Sequence, residues 1–179
     1  MYILGLTTMG NSSACLFKDD KILFAIEEER LSRIKNDSSF PYKSIDRCLK
    51  SENINLSDVD LITVYWKPYN FLLRAFKCFE IFIKDPIKNN FILKRALEIF
   101  FFQDKEKKEK TGKWSDLFIL KKILKKKFGN FNAKIKFYDH HLTHKIYGIM
   151  LSNFNNAVIL SYDGGGENTS TEISLFKNS

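Results

Sequence analysis

The chain has 179 residues, 44% of them hydrophobic with 17 Phe, and carries 29 Lys/Arg against 21 Asp/Glu for a net charge of +8. That length suits one domain, or one domain and part of another, with enough apolar side chains to bury a substantial core. Three widely spaced cysteines (Cys15, Cys48, Cys78) argue against a disulfide framework or a thiolate metal site, and the opening "MYILGLTTMG" lacks the basic start and long apolar run of a signal peptide, so the cytoplasm is the expected compartment.

In chain order, "YILGLTT" reads as a buried strand running into a polar loop. "SACLFKDDKILFAIEEER" gives two further strands joined by Lys18-Asp19-Asp20-Lys21, a hairpin signal. The chain thus opens as a three-stranded antiparallel meander. Pro41 suits the first turn of a helix on which Ile45, Cys48 and Leu49 recur at helical spacing. "DLITVYW" is a strand after a helix, which implies a right-handed crossover and a parallel neighbour.

The positive charge is local. From Lys67 to Asn130 there are 17 Lys/Arg against 7 Asp/Glu, while the rest of the chain is nearly neutral. This segment reads as a helical insert, with Arg74, Lys77, Lys84 and Lys88 on one face and Phe76, Phe79 and Phe82 away from it. "QDKEKKEKTGKW" reads as a mobile linker. "SDLFILKKILKKKFGN" is an amphipathic helix with Ser115 as N-cap and Gly129 as stop. The insert is expected to project from the sheet, with its Phe residues forming a satellite core. "AKIKFYDH" is then a strand, "HLTHKIYGIMLSN" a helix, "NAVILSYD" a buried strand and "TSTEISLFK" a strand. Strand, polar loop and strand recur at both ends of the chain. Two such hairpins open the two halves of a duplicated ATP-binding fold of the actin and sugar-kinase type, each loop facing a nucleotide phosphate.

All three histidines fall within "HHLTH". Residues four apart share a helix face, so His140 and His144 can reach one metal ion while His141 points about 100° away. Asp163 ends the next strand. Parallel strands end on the same edge of a sheet, so its carboxylate can return to the imidazole pair. Two His and one carboxylate suit Zn²⁺, Fe²⁺ or Mn²⁺ with open positions left over. An isolated HxxxH is more often a pair of surface histidines. Here the lack of other histidines, the following Asp163 and the glycine loop favour the metal. In "DGGGENTS", the N–H groups of Gly164, Gly165 and Gly166 can cradle phosphate oxygens, and Glu167, Asn168 and Thr169 can bind a hydroxyl or a metal-bound water. The competing reading is a tight hairpin turn. In "AIEEERLSRIKND", Arg33 and Lys35 can hold an anionic substrate, against the plainer reading of surface ion pairs.

Together, residues 1–49 and "DHHLTHKIYGIMLSNFNNAVILSYDGGGENTST" resemble the N-terminal part of the O-carbamoyltransferase family, which includes the nodulation-factor, cephamycin and tobramycin carbamoyltransferases. The shared marks are a glycine in the first strand, the loop that follows it, the "EEERLSRIKND" run, "FP" before a helix, the "HHLTH" helix and "DGGGE". The match covers residues 1–66 and 133–179. Gly10 and Asn11 stand where members often carry His-Asp, and Lys145 stands where they carry Ala.

The resemblance implies an α/β protein with the actin-like ATPase (ribonuclease H-like, ASKHA) fold, similar to the tRNA threonylcarbamoyl transferase domain. Residues 1–153 would be its first subdomain, with the basic insert at 67–130 and a five-stranded mixed sheet centred on the first strand. Residues 154–179 would begin the second. It implies a metal, usually Fe²⁺, held by His140, His144, Asp163 and a further Asp from later in the chain, with ATP or carbamoyl adenylate near Asn11, Ser12, Gly164, Gly165, Gly166 and Glu167. Carbamoyl phosphate and ATP would form carbamoyl adenylate in a separate C-terminal domain. The carbamoyl group would then pass to a hydroxyl of a small-molecule or glycan acceptor. From their own reading above, the anion-holding Arg33 and Lys35 are the candidate catalytic residues. Members are far longer, so this chain is expected to be part of a longer or split enzyme and inactive alone. The alternative is a module that binds nucleic acid or an anionic surface through the Lys- and Phe-rich insert, although the same pattern suits amphipathic helices packed on the domain.

Overall fold

The computed structural model describes residues 1–84, 86, 114–164, 166 and 169–177. Its centre is a five-stranded mixed sheet in the order β3-β2-β1-β4-β5. The strands are β1 (Tyr2–Thr7), β2 (Ser13–Lys18), β3 (Lys21–Glu27), β4 (Leu61–Val64) and β5 (Lys134–Phe137). β1, β2 and β3 form the expected antiparallel meander, and β4 and β5 extend it in parallel. The β2–β3 turn places Asp19 at φ 54°, a conformation that short polar side chains tolerate.

Register explains the core. Leu16, Leu4 and Ile62 are partners across β2, β1 and β4, and so are Ala14, Leu6 and Val64. All six are buried, which makes one continuous apolar face. Helix α2 (Tyr42–Ser51) packs on β2 and β3 and adds Ile45, Cys48 and Leu49. Its start is capped from a distance. Glu28, the buried member of the three-glutamate run, accepts hydrogen bonds from the Lys43 and Ser44 N–H groups and from the Ser44 hydroxyl. The chain there has left β3 and turned into the short helix α1 (Glu28–Ser32), not continued as a charged strand end.

The basic segment divides. Helix α3 (Pro68–Lys84) exposes Phe76 at 72% and Phe79 at 50%, so these rings form no satellite core. Helices α4 (Trp114–Phe118) and α5 (Leu120–Phe128) contribute Leu117, Leu120 and Leu124 to the main core. This end of the segment belongs to the domain and does not project from it. Ser115 lies inside α4, not at its cap, while Gly129 at φ 84° ends α5 as expected. Lys88 and the linker at 103–113 lie outside the described residues.

Helix α6 (His140–Leu151) is followed by β6 (Asn156–Tyr162) and β7 (Thr171–Lys177). Among the described residues these last strands pair only with each other, antiparallel, as a separate two-stranded sheet. "NAVILSYD" is therefore not a buried parallel strand. One face of the hairpin meets α6, and the other exposes Val158, Leu160, Tyr162, Ile173 and Leu175. Among the described residues, no helix is long and apolar enough to cross a membrane.

Candidate metal centre

Asp139 caps α6, its carboxylate accepting the Leu142 N–H at 3.2 Å. The helix therefore starts at His140, and one turn brings His144 over it. His140 Nε2 and His144 Nε2 lie 3.1 Å apart. Asp163 Oδ2 lies 2.7 Å from the first and 3.5 Å from the second. Asp163 reaches the pair by a route other than the sequence suggested. It leaves a hairpin that packs on α6, not the edge of a shared parallel sheet. Its other oxygen, Oδ1, accepts the Gly164 N–H. Hydrogen bonding from His140, helped by Gly164 and His144, holds the Asp163 carboxyl below its ordinary range against the opposing effect of burial.

The donor chemistry fits a divalent transition metal. Two imidazole nitrogens and a carboxylate oxygen converge, each within 4.8 Å of the others. A tetrahedral Zn²⁺ centre with bonds of about 2.0–2.1 Å sets its donors roughly 3.3 Å apart, close to the three spacings seen here. His140 is buried and His144 half-exposed, so one side of the cluster opens to solvent. The Trp66 indole stacks on His140, with ring centroids 4.4 Å apart and planes within 16°. Tyr65 lies 5.4 Å from the same imidazole, and its hydroxyl donates to the Met9 carbonyl. This contact ties the loop after β1 to the wall of the cluster. Neither aromatic stood out in the sequence, since nothing at positions 65 and 66 signals a partner some 75 residues away.

Of the other expected site residues, Gly164 touches the cluster, through its N–H on Asp163 Oδ1. Ser12 is fully buried. Its N–H donates to the Asp37 carbonyl and its carbonyl accepts the Glu28 N–H, so its backbone serves the fold. Its hydroxyl has no hydrogen-bond partner among the described residues. Asn11 is exposed. Arg33, at φ 64° after α1, and Lys35 are exposed cations on the loop leading to Asp37. Gly164 is exposed beside Asp163 and Gly166 is buried, its N–H donating to the Thr169 carbonyl at 2.8 Å. Gly165 and Glu167 lie outside the described residues.

The Carbamoyltransferase N-terminus family model matches residues 2–179. The chain belongs to the carbamoyltransferase family, as its N-terminal domain. It is 30% identical to the nodulation protein NolNO of Sinorhizobium fredii over 90% of this chain and 20% of that protein. It is 31% identical to an uncharacterized protein of Synechocystis sp. over 96% of this chain and 27% of that one. An uncharacterized protein of Methanocaldococcus jannaschii is 29% identical over 97% of this chain and 24% of its own length. The chain thus spans about a fifth to a quarter of the relatives it matches.

Proposed function

We propose that this chain forms the carbamoyl-transfer half-site of a longer or split O-carbamoyltransferase, with an actin-like ASKHA architecture whose second half begins at β6. The observation that carries the reading is the convergence of His140, His144 and Asp163 in a member of the carbamoyltransferase family. The mixed five-stranded sheet with β1 at its centre is compatible with the first half of such a fold. The bare apolar face of β6–β7 suits a second half completed by further polypeptide.

In this reading, carbamoyl phosphate and ATP give carbamoyl adenylate in a separate domain, and the carbamoyl group passes to a hydroxyl-bearing acceptor here. His140, His144 and Asp163 would hold Fe²⁺, with Zn²⁺ or Mn²⁺ as alternatives. Such an ion, when bound, supplies Lewis acidity and a template for adenylate and acceptor. The chain's own residues do the rest. Trp66 and Tyr65 wall His140 and exclude water from its inner side. The Gly164 N–H holds the Asp163 carboxylate and the Gly166 N–H holds the Thr169 carbonyl, so these two glycines shape the loop beside the cluster. Arg33 and Lys35 offer free positive charge to an anionic substrate, being without ion-pair partners among the described residues.

The test is transfer of label from [¹⁴C]carbamoyl phosphate, in the presence of ATP, to a hydroxyl acceptor by the chain together with the remaining part of the enzyme. Loss of transfer in His144→Ala with adenylate formation retained supports the reading. Transfer unchanged by that substitution rejects it. A second reading, in which the basic segment is a contact surface, draws on α3. There Leu73, Phe76, Phe79 and Ile83 line an exposed groove beside Lys77. That composition favours an apolar protein partner over nucleic acid, and a pull-down that depends on Phe76 would establish it.

A further inference from the structure

His141 is not part of the cluster, yet it is the most deeply buried of the three histidines, at 1% exposure. Its ring points away from His140 and His144 and into the β6–β7 hairpin. Nδ1 lies 2.8 Å from Ser161 Oγ, and Nε2 lies 2.9 Å from the Thr169 carbonyl oxygen. A carbonyl only accepts, so Nε2 carries the proton and Nδ1 is free to accept the Ser161 hydroxyl. Both ring nitrogens are thereby satisfied by the two sides of the hairpin. Ser161 precedes Asp163 by two residues on β6, and Thr169 stands on the returning side.

The loop is shaped to receive this ring. A Cβ on Gly166 would sit 2.7 Å from His141 Cδ2 and 2.9 Å from Nε2, closer than real side chains approach. The Thr169 carbonyl is shared between His141 and the Gly166 N–H, and the Asp163 N–H donates to the Ser170 carbonyl at 2.8 Å. The base of the loop is therefore closed around the imidazole, with Asp163 at its edge.

We propose that His141 is a positioning residue. It fixes the β6–β7 loop to α6 and so sets Asp163 at the reach of His140 and His144. The adjacent histidines divide the labour: His140 faces the ion and His141, about 100° round the helix, holds the strand that brings the third ligand. The proposal rests on reading His140, His144 and Asp163 as metal ligands. Removing a group that orients a metal ligand typically changes metal affinity by about 10–100-fold.

The test is Zn²⁺ affinity by chelator competition, with a double-mutant cycle and amide hydrogen exchange on the metal-free protein. His141→Ala should weaken Zn²⁺ binding by about 10–100-fold. His141→Gln retains a donor for the Thr169 carbonyl and should recover most of that loss. In an Asp163→Asn background, His141→Ala should cause little further loss, because its effect runs through that carboxylate. Gly166→Ala, which displaces the ring without removing it, should mimic His141→Ala. In metal-free His141→Ala, exchange should accelerate at the Asp163 and Gly166 amides and stay unchanged in β1 and β4. An equal loss with and without Asp163 would make His141 a general structural residue and overturn the proposal. Unaltered exchange at Asp163 and Gly166 would overturn the clamp itself. Wild-type protein that takes up no Zn²⁺ while showing the expected exchange pattern would sink the ligand reading and, with it, the role of His141 toward a metal.

Discussion

The two sheets of this chain solve the same burial problem to different degrees. In the five-stranded sheet, rows of partners such as Leu16–Leu4–Ile62 are covered by α2 and by Leu117, Leu120 and Leu124. In the β6–β7 hairpin, one face meets α6 through polar contacts, His141 to Ser161 and Lys145 to Glu172 and Ser174. Its other face leaves Tyr162 and Leu175 more than 70% exposed. A lone two-stranded sheet is marginal in water. The comparison teaches that the first sheet is stabilised by apolar packing, while the hairpin is held in place by a few directional contacts. The proposed metal site lies on the seam, with two ligands on α6 and one on the hairpin.

The largest effect that would sharpen this contrast is in stability. Leu4→Ala or Leu120→Ala should cost about 2–5 kcal/mol in urea unfolding, because each leaves a cavity in a closed core. Leu160→Ala or Ile173→Ala should stay within about 0.5 kcal/mol, because those side chains are already in water. Comparable losses at both sets would erase the distinction. Next, Zn²⁺ at about 100 times its Kd should stabilise the wild type by roughly 2.7 kcal/mol, seen as a rise in Tm that is absent in His140→Ala. An ion held by His140, His144 and Asp163 would bridge α6 and the hairpin, so amide protection should rise in β6 and β7 more than in β1.

A smaller effect concerns acid. Burial pushes the Asp37 carboxyl up, but hydrogen bonds from Ser32 and Ser39 and the charge of Lys43 outweigh it and hold the group below the ordinary carboxylate range. A carboxyl lowered in the folded state stabilises it above the unfolded value, and this is lost as pH falls through the folded one. Stability should therefore decline below about pH 4, and Asp37→Asn should flatten that decline. The smallest effect is chemical. Burial pushes the Cys48 thiol up to about 12, so peptide mapping after native alkylation at pH 8 should find Cys48 unmodified.

Much of this was legible in the sequence for physical reasons. Alternation in β1 to β3 and the Lys18–Lys21 turn set the meander, and the helix between it and "DLITVYW" set the parallel neighbour. The four-residue spacing of His140 and His144 placed both on one helical turn whatever surrounds them. What was not legible depends on tertiary partners. "NAVILSYD" is apolar on both faces, so its pattern cannot say that one face lacks cover. The glutamate run hid a long-range cap, because only the fold brings Glu28 to Ser44. The same holds for Trp66 on His140 and for His141 between Ser161 and Thr169.

The central claim, that His140, His144 and Asp163 form one metal site, is tested most directly by titrating the protein with Co²⁺ and following its visible absorption. The account predicts saturable uptake with ligand-field bands in the wild type, lost in His140→Ala and His144→Ala and shifted or weakened in Asp163→Asn, with the circular dichroism of the fold retained. Uptake and spectrum unchanged by His144→Ala would contradict it.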